Sequence, residues 1–130
     1  MLWDKALKYW KSLVVFAIIS YLSLLRESDV ALPSISGVDK LIHLAMYMVL
    51  TWVLIWDSLH AEIKGWRWMV VTMLLPASFG GLIEILQDKF FYPRTGDWQD
   101  WAADCVGVLV ACAIWWIVGL IKKNVRGVVK

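Results

Sequence analysis

The sequence predicts an all-α, polytopic membrane protein: a four-transmembrane-helix bundle with both termini cytoplasmic. Three observations predict it. Hydrophobic residues make up 61% of the 130-residue chain and the mean hydropathy is +0.66, whereas a soluble domain is roughly 45–50% apolar. The apolar residues fall into four runs. The basic residues gather on one side of the membrane that those runs define. One domain over residues 1–130 accounts for this length. Ten tryptophans fit the same reading, because an indole ring has an apolar body and an N–H that stays hydrated at a membrane interface.

The first run covers residues 12–25 and reaches about 9–25 once Tyr9 and Trp10 are included and Lys11 extends its amine to the interface. It reads as a retained helix and not a cleaved leader, because residues 26–29 are charged and offer no small-x-small cleavage site. The second run, residues 41–56, predicts a helix over about 40–57 and is the shortest. The third, residues 68–86, predicts one over about 67–88, with Pro76 as a kink. The fourth, residues 101–121, predicts one over about 98–121. Each approaches the ~20 residues needed to cross hydrocarbon. A soluble bundle would need polar stripes through the middles of these helices, and they have none.

The charges sort by side. Lys5, Lys8, Lys11, Lys64, Arg67, Lys122, Lys123, Arg126 and Lys130 fall with the termini and the 57–67 loop, together with the acids Asp4, Asp57 and Glu62. Arg26, Lys40, Lys89 and Arg94 fall on the other side with eight acids. Nine bases against four place both termini in the cytoplasm and make the chain a multi-pass protein of the cytoplasmic (inner) membrane. Juxtamembrane bases explained in this way do not point to nucleic acid. Cys105 and Cys112 lie seven residues apart in one apolar run, too far apart on one helix for a disulfide.

Ionisable residues gather at the extracytoplasmic helix ends. The second helix opens with Asp39, Lys40, His43 and Tyr47, of which Asp39, His43 and Tyr47 recur every four residues on one face. The third ends with Glu84 and Gln87, three apart and on one face. Arg94 precedes the fourth, which opens with Asp97, Asp100 and Asp104 at spacings i, i+3, i+7. Glu84 follows a long uncharged stretch beside Gly80 and Gly81, where structure alone would favour leucine. A carboxylate or imidazole facing lipid costs several kcal/mol, roughly 2.5–3.5 for Asp near the bilayer centre, so His43, Glu84 and Arg94 are expected to share one polar pocket. Bland roles stand beside these. Lys40 also suits a membrane boundary, Tyr47 an ordinary buried position, Asp97 a helix cap, and Trp98 and Trp101 interfacial anchoring. Gly80 and Gly81, and the Ala103–Gly107–Ala111 repeat, favour close helix contact.

The order and spacing D-K-x-x-H-x-x-x-Y, E-x-x-Q, R-x-x-D-x-x-D and a small residue beyond resemble the VanZ-like membrane proteins, a family named after a teicoplanin-resistance protein. The matching residues are Asp39, Lys40, His43, Tyr47, Glu84, Gln87, Arg94, Asp97, Asp100 and Gly107, over roughly residues 37–120. Position 104 departs from the pattern: it is Asp where the family often has Asn, which adds a negative charge. The resemblance implies a cell-envelope role, with membrane lipids and a lipid-linked cell-wall precursor or a glycopeptide as partners, and a contribution to teicoplanin-type resistance.

Two functional classes follow. In the first, the pocket binds the head group of a cell-envelope lipid or lipid-linked glycan. His43 and Arg94 meet phosphate or sugar oxygens, and Asp39, Lys40, Tyr47, Gln87, Asp97 and Asp104 complete the lining. In the second, the chain is a hydrolase or transferase acting on such a lipid, with His43, Glu84 and Asp100 as catalytic residues and His43 as general acid or base. A transporter needs more volume than four short helices supply, though a homodimer would add some. The pattern assigns no metal ligand and no cofactor. Arg94, with one carboxyl protonated, is the expected means of offsetting the acidic cluster, and a bound divalent cation is the alternative.

Overall fold

In a computed structural model, which describes residues 2–25, 37–92 and 95–128, every regular element among the described residues is helical. The helices are α1 (Leu2–Leu7), α2 (Trp10–Leu25), α3 (Val38–His60), α4 (Trp66–Phe90) and α5 (Trp98–Val128). Three of them, α3, α4 and α5, are long and apolar enough to cross a membrane. The sequence did not predict α1, whose six residues include Asp4 and Lys5. At 16 residues, α2 spans about 24 Å. At 31 residues, α5 runs past the expected end at 121, because Lys122, Lys123 and Arg126 leave the apolar stretch without breaking the helix.

The bundle is inverted relative to a soluble one. Among the described residues, eleven buried side chains are polar or charged and nine are apolar, Pro76 included, while Val49, Trp52, Leu74, Leu82, Leu109 and Ile117 point outward. Only 28%, 28% and 22% of the apolar stretches of α3, α4 and α5 are buried inside the bundle. Such a surface suits hydrocarbon and would aggregate in water. Four hydroxyls are satisfied locally, as suits lipid: Ser20, Thr51, Ser58 and Thr72 each donate to the carbonyl four residues back.

The most extensive packing is between α3 and α5, followed by α4 and α5. Gly107 makes the first possible: a Cβ there would collide with the carbonyl oxygen of Leu44. Ile19, Tyr47, Leu50, Leu54 and Val108 form the apolar core, flanked by the edge-to-face Phe16–Phe79 pair with centroids 4.7 Å apart. The short α2 is pinned at both ends by other helices. Near its start, the Asp57 carboxylate accepts from Ser12 N (3.0 Å) and Ser12 Oγ (2.8 Å). Near its finish, Gln87 Nε2 donates to the Ser23 carbonyl (2.8 Å). Both backbone groups are among those that a helix end leaves without an internal partner. The turn from α3 to α4 closes with Ile63 N on Ser58 O and Glu62 N on Leu59 O, placing Glu62 at φ 58.

Candidate functional site

Three helices deliver polar side chains to one end of the bundle. His43 lies between one and two turns into α3, Asp104 a similar depth into α5, and Glu84 between one and two turns before the end of α4. All three are buried, with 5%, 1% and 3% of their surface exposed. The glycines set this placement. Gly107 lets α5 settle on α3 one turn below Asp104, and a Cβ on Gly80 would lie 2.7 Å from Asp104 Oδ2. Trp101 packs over Gly81 and donates its Nε1–H to the Ala77 carbonyl (2.9 Å), tying α5 to α4.

His43 is the hub. Its Nδ1 is 2.9 Å from Asp104 Oδ1, and its Nε2 is 3.8 Å from Asp100 Oδ2. At the rim, Lys40 Nζ stands 3.6 Å from both Asp97 Oδ2 and Asp100 Oδ1. Glu84 Oε2 accepts from the Asp97 backbone N–H (2.7 Å), and Asp97 Oδ1 accepts from Gln99 N (2.8 Å), the expected cap on α5. Two groups have ligand-capable atoms all within 4.8 Å of one another: His43, Glu84 and Asp104, and Asp39, His43 and Asp100. Among the described residues of this cluster, four buried oxygens have no hydrogen-bond partner: Glu84 Oε1, Asp104 Oδ2, the Tyr47 hydroxyl and Asp100 Oδ1, the last with Lys40 Nζ 3.6 Å away. A cleft of about 310 Å³, lined by Glu84, Ile85, Asp88, Lys89, Gly96 and Trp98, reaches Glu84 from the surface.

No family model, curated protein or solved structure matches this chain. The likeness to VanZ-like proteins thus rests on the motif residues alone.

The structure brings His43, Glu84, Asp100 and Asp104 together, with Lys40, Asp97 and the exposed Asp39 at the rim and Tyr47 one turn deeper on α3. Gln87 shares the buried face of α4, but its amide is taken by α2. Arg94, the expected counter-charge, lies outside the described residues. Trp101, read from sequence as an interfacial anchor, is a packing and hydrogen-bonding residue between α4 and α5.

One buried ionisable residue escaped the sequence reading. Asp57, sorted with the loop charges, is 0% exposed and sits at the opposite end of α3, with Lys11 Nζ 3.8 Å from Oδ1. The signal that would have found it is its register: Tyr47, Leu50, Leu54 and Asp57 continue one buried stripe at spacings of three and four.

Chemically, the cluster offers hydrogen-bond acceptors in excess of donors. An ionised Asp104 accepts from Nδ1–H of His43 and holds the ring in one orientation, which leaves Nε2 facing Asp100 as a proton acceptor.

Proposed function

We propose that the chain is a four-span protein of the cytoplasmic membrane, with both termini inside. Its extracytoplasmic pocket binds the head group of a cell-envelope lipid or lipid-linked glycan. The fourth span is α2, short but pinned at both ends to longer helices. The nine-to-four split of basic residues supports the orientation. The observation that carries the head-group reading is the set of unpartnered buried oxygens at this end of the bundle, one of them on Glu84, which lines a surface cleft. Each such oxygen costs about 1–3 kcal/mol. A ligand bringing hydroxyl, ammonium or cationic groups recovers that energy, and Lys89 at the cleft wall suits a phosphate. Resistance to a teicoplanin-type glycopeptide would follow if the same pocket holds the drug or its lipid-linked target.

Binding of a polyprenyl-diphosphate-linked sugar to the detergent-purified protein, followed by native mass spectrometry, tests this reading. Glu84→Gln should weaken binding by tenfold or more, and equal retention of an uncharged diacylglycerol would refute head-group recognition. The His43–Asp104 pair at 2.9 Å favours a second reading, a hydrolase or transferase in which His43 Nε2 takes a proton. Release of phosphate or sugar from the same probe, lost in His43→Gln, distinguishes the enzyme from the binder.

A further inference from the structure

We propose that His43, Glu84 and Asp104 hold a divalent cation, and that the cation makes the pocket's contact with a phosphate-bearing head group. The cation site stands on these three side chains. Only what the cation meets rests on the head-group reading.

The first support is the donor set. One imidazole and two carboxylates, from three different helices, present ligand atoms all within 4.8 Å of one another. A small inward adjustment of side chains brings such a set to metal-ligand distances of about 2.0–2.2 Å. Nitrogen with carboxylate oxygen suits ions from Mg²⁺ through Mn²⁺ to Zn²⁺ and disfavours soft ions, which prefer thiolate. Three protein ligands leave coordination positions open for water or a phosphate oxygen.

The second support is independent of the clustering. Glu84 and Asp104 are 3% and 1% exposed, yet Glu84 Oε1 and Asp104 Oδ2 have no hydrogen-bond partner. Asp104 Oδ2 lies directly against Gly80, where a Cβ would come within 2.7 Å of it, so the missing side chain is what admits the carboxylate to this place. A packed apolar core has no use for a buried lone pair without a partner, whereas a cation beside it supplies attraction.

The third support is charge. At the rim, Lys40 stands 3.6 Å from Asp97 and Asp100, so the outer group of Asp39, His43 and Asp100 already has a cation beside it. Among the described residues, no lysine or arginine pairs with Glu84 or Asp104, and His43 is the only base beside them. One imidazole carries at most one positive charge against two buried carboxylates. Of the two carboxylates, Glu84 lines the cleft through which an ion would enter.

The test uses the full chain in detergent, stripped with EDTA, returned to chelator-free buffer and titrated with Mn²⁺. Binding is read by loss of the free-ion paramagnetic resonance signal and by melting temperature. The expected result is one Mn²⁺ per chain and a melting temperature raised by roughly 5 °C or more at saturation. Glu84→Gln and Asp104→Asn should each weaken Mn²⁺ binding at least tenfold. Their metal-free forms should melt at or above the metal-free wild type, since each loses a buried charge, and that shows them folded. Glu62→Gln, at the far end of the bundle, should bind as the wild type does. Absence of saturable binding, or binding that survives Glu84→Gln, overturns the cation site and leaves a proton as the neutralising species. A polyprenyl phosphate separates this inference from the head-group reading. If it binds equally well in EDTA, the cation's role is refuted and the head-group reading stands. If Mn²⁺ binds and the polyprenyl phosphate does not, the ion site stands and the head-group reading falls.

Discussion

Replacing Asp57 by alanine removes the acceptor for two hydrogen bonds, from Ser12 N at 3.0 Å and Ser12 Oγ at 2.8 Å, at a position with 0% exposure. The hydroxyl can turn to another acceptor on its own helix. The amide cannot, because it belongs to the first turn of α2 and has no intrahelical partner. Stranding that amide away from water costs about 1–3 kcal/mol, and losing the charge-assisted bonds adds about 1–2 more. Relief of a buried carboxylate offsets part of this, so the net loss is about 2–4 kcal/mol. Asp57→Asn keeps an oxygen for the amide and gives up the attraction to Lys11, a loss of about 1 kcal/mol. Lys11 is 44% exposed and 3.8 Å from the carboxylate, so Lys11→Ala should cost no more than about 1 kcal/mol. Thermal unfolding in detergent, followed by tryptophan fluorescence, should rank Asp57→Ala well below Asp57→Asn and Lys11→Ala. If Lys11→Ala is as damaging as Asp57→Ala, the ion pair holds α2 and the capping argument is refuted. If all three are silent, α2 is not anchored here.

Four further outcomes are expected. Gly107→Ala should destabilise by about 1–3 kcal/mol, because its methyl group meets the Leu44 backbone, which cannot step aside; an unchanged melting temperature would show that α3 and α5 are not so close. Trp101→Phe should cost about 1 kcal/mol through the bond to Ala77 O, and Trp98→Phe, 64% exposed, should cost nothing measurable; equal melting of the two variants would return Trp101 to an interfacial role. Glu62→Gly should stabilise by about 0.5–1 kcal/mol by relieving the left-handed backbone at φ 58, and the same melting assay would register a loss if the Glu62 side chain matters more than its backbone. In a background with Cys105 and Cys112 replaced by serine, a cysteine at Tyr92 should react with an impermeant maleimide from outside intact cells and one at Lys64 should not; the reverse pattern would invert the topology.

The long helices were legible because their apolar runs are long. Those of α3, α4 and α5 stand out without any knowledge of packing, and the observed ends differ from expectation chiefly at α5, where a basic tail continues the helix to Val128. The face bearing His43 and Tyr47 and the one bearing Asp100 and Asp104 follow from periodicity alone. Periodicity does not say which face meets which. The His43–Asp104 contact joins positions 61 residues apart, and nothing local in either segment encodes the partner. Gln87 shows the same limit: its register placed it with Glu84, and the competing claim of the Ser23 carbonyl on α2 was invisible from within α4. Asp57 was misassigned for a different reason. Proximity to a loop outweighed its place on a buried stripe, although the stripe was present in the sequence.

The distances in sequence between partners also order events in time. A helical membrane protein leaves the ribosome from its N-terminus. When α3 emerges, the amide that will receive Asp57 has already been made 45 residues earlier. The carboxylate that will receive His43 is still 61 residues from being translated. One half of α3 can therefore dock on arrival, while the other waits, with an unpartnered imidazole, for the last helix. The chain completes its structural end first. Its chemical end exists only after α5 has joined, so a nascent or truncated chain lacking that helix carries no formed pocket.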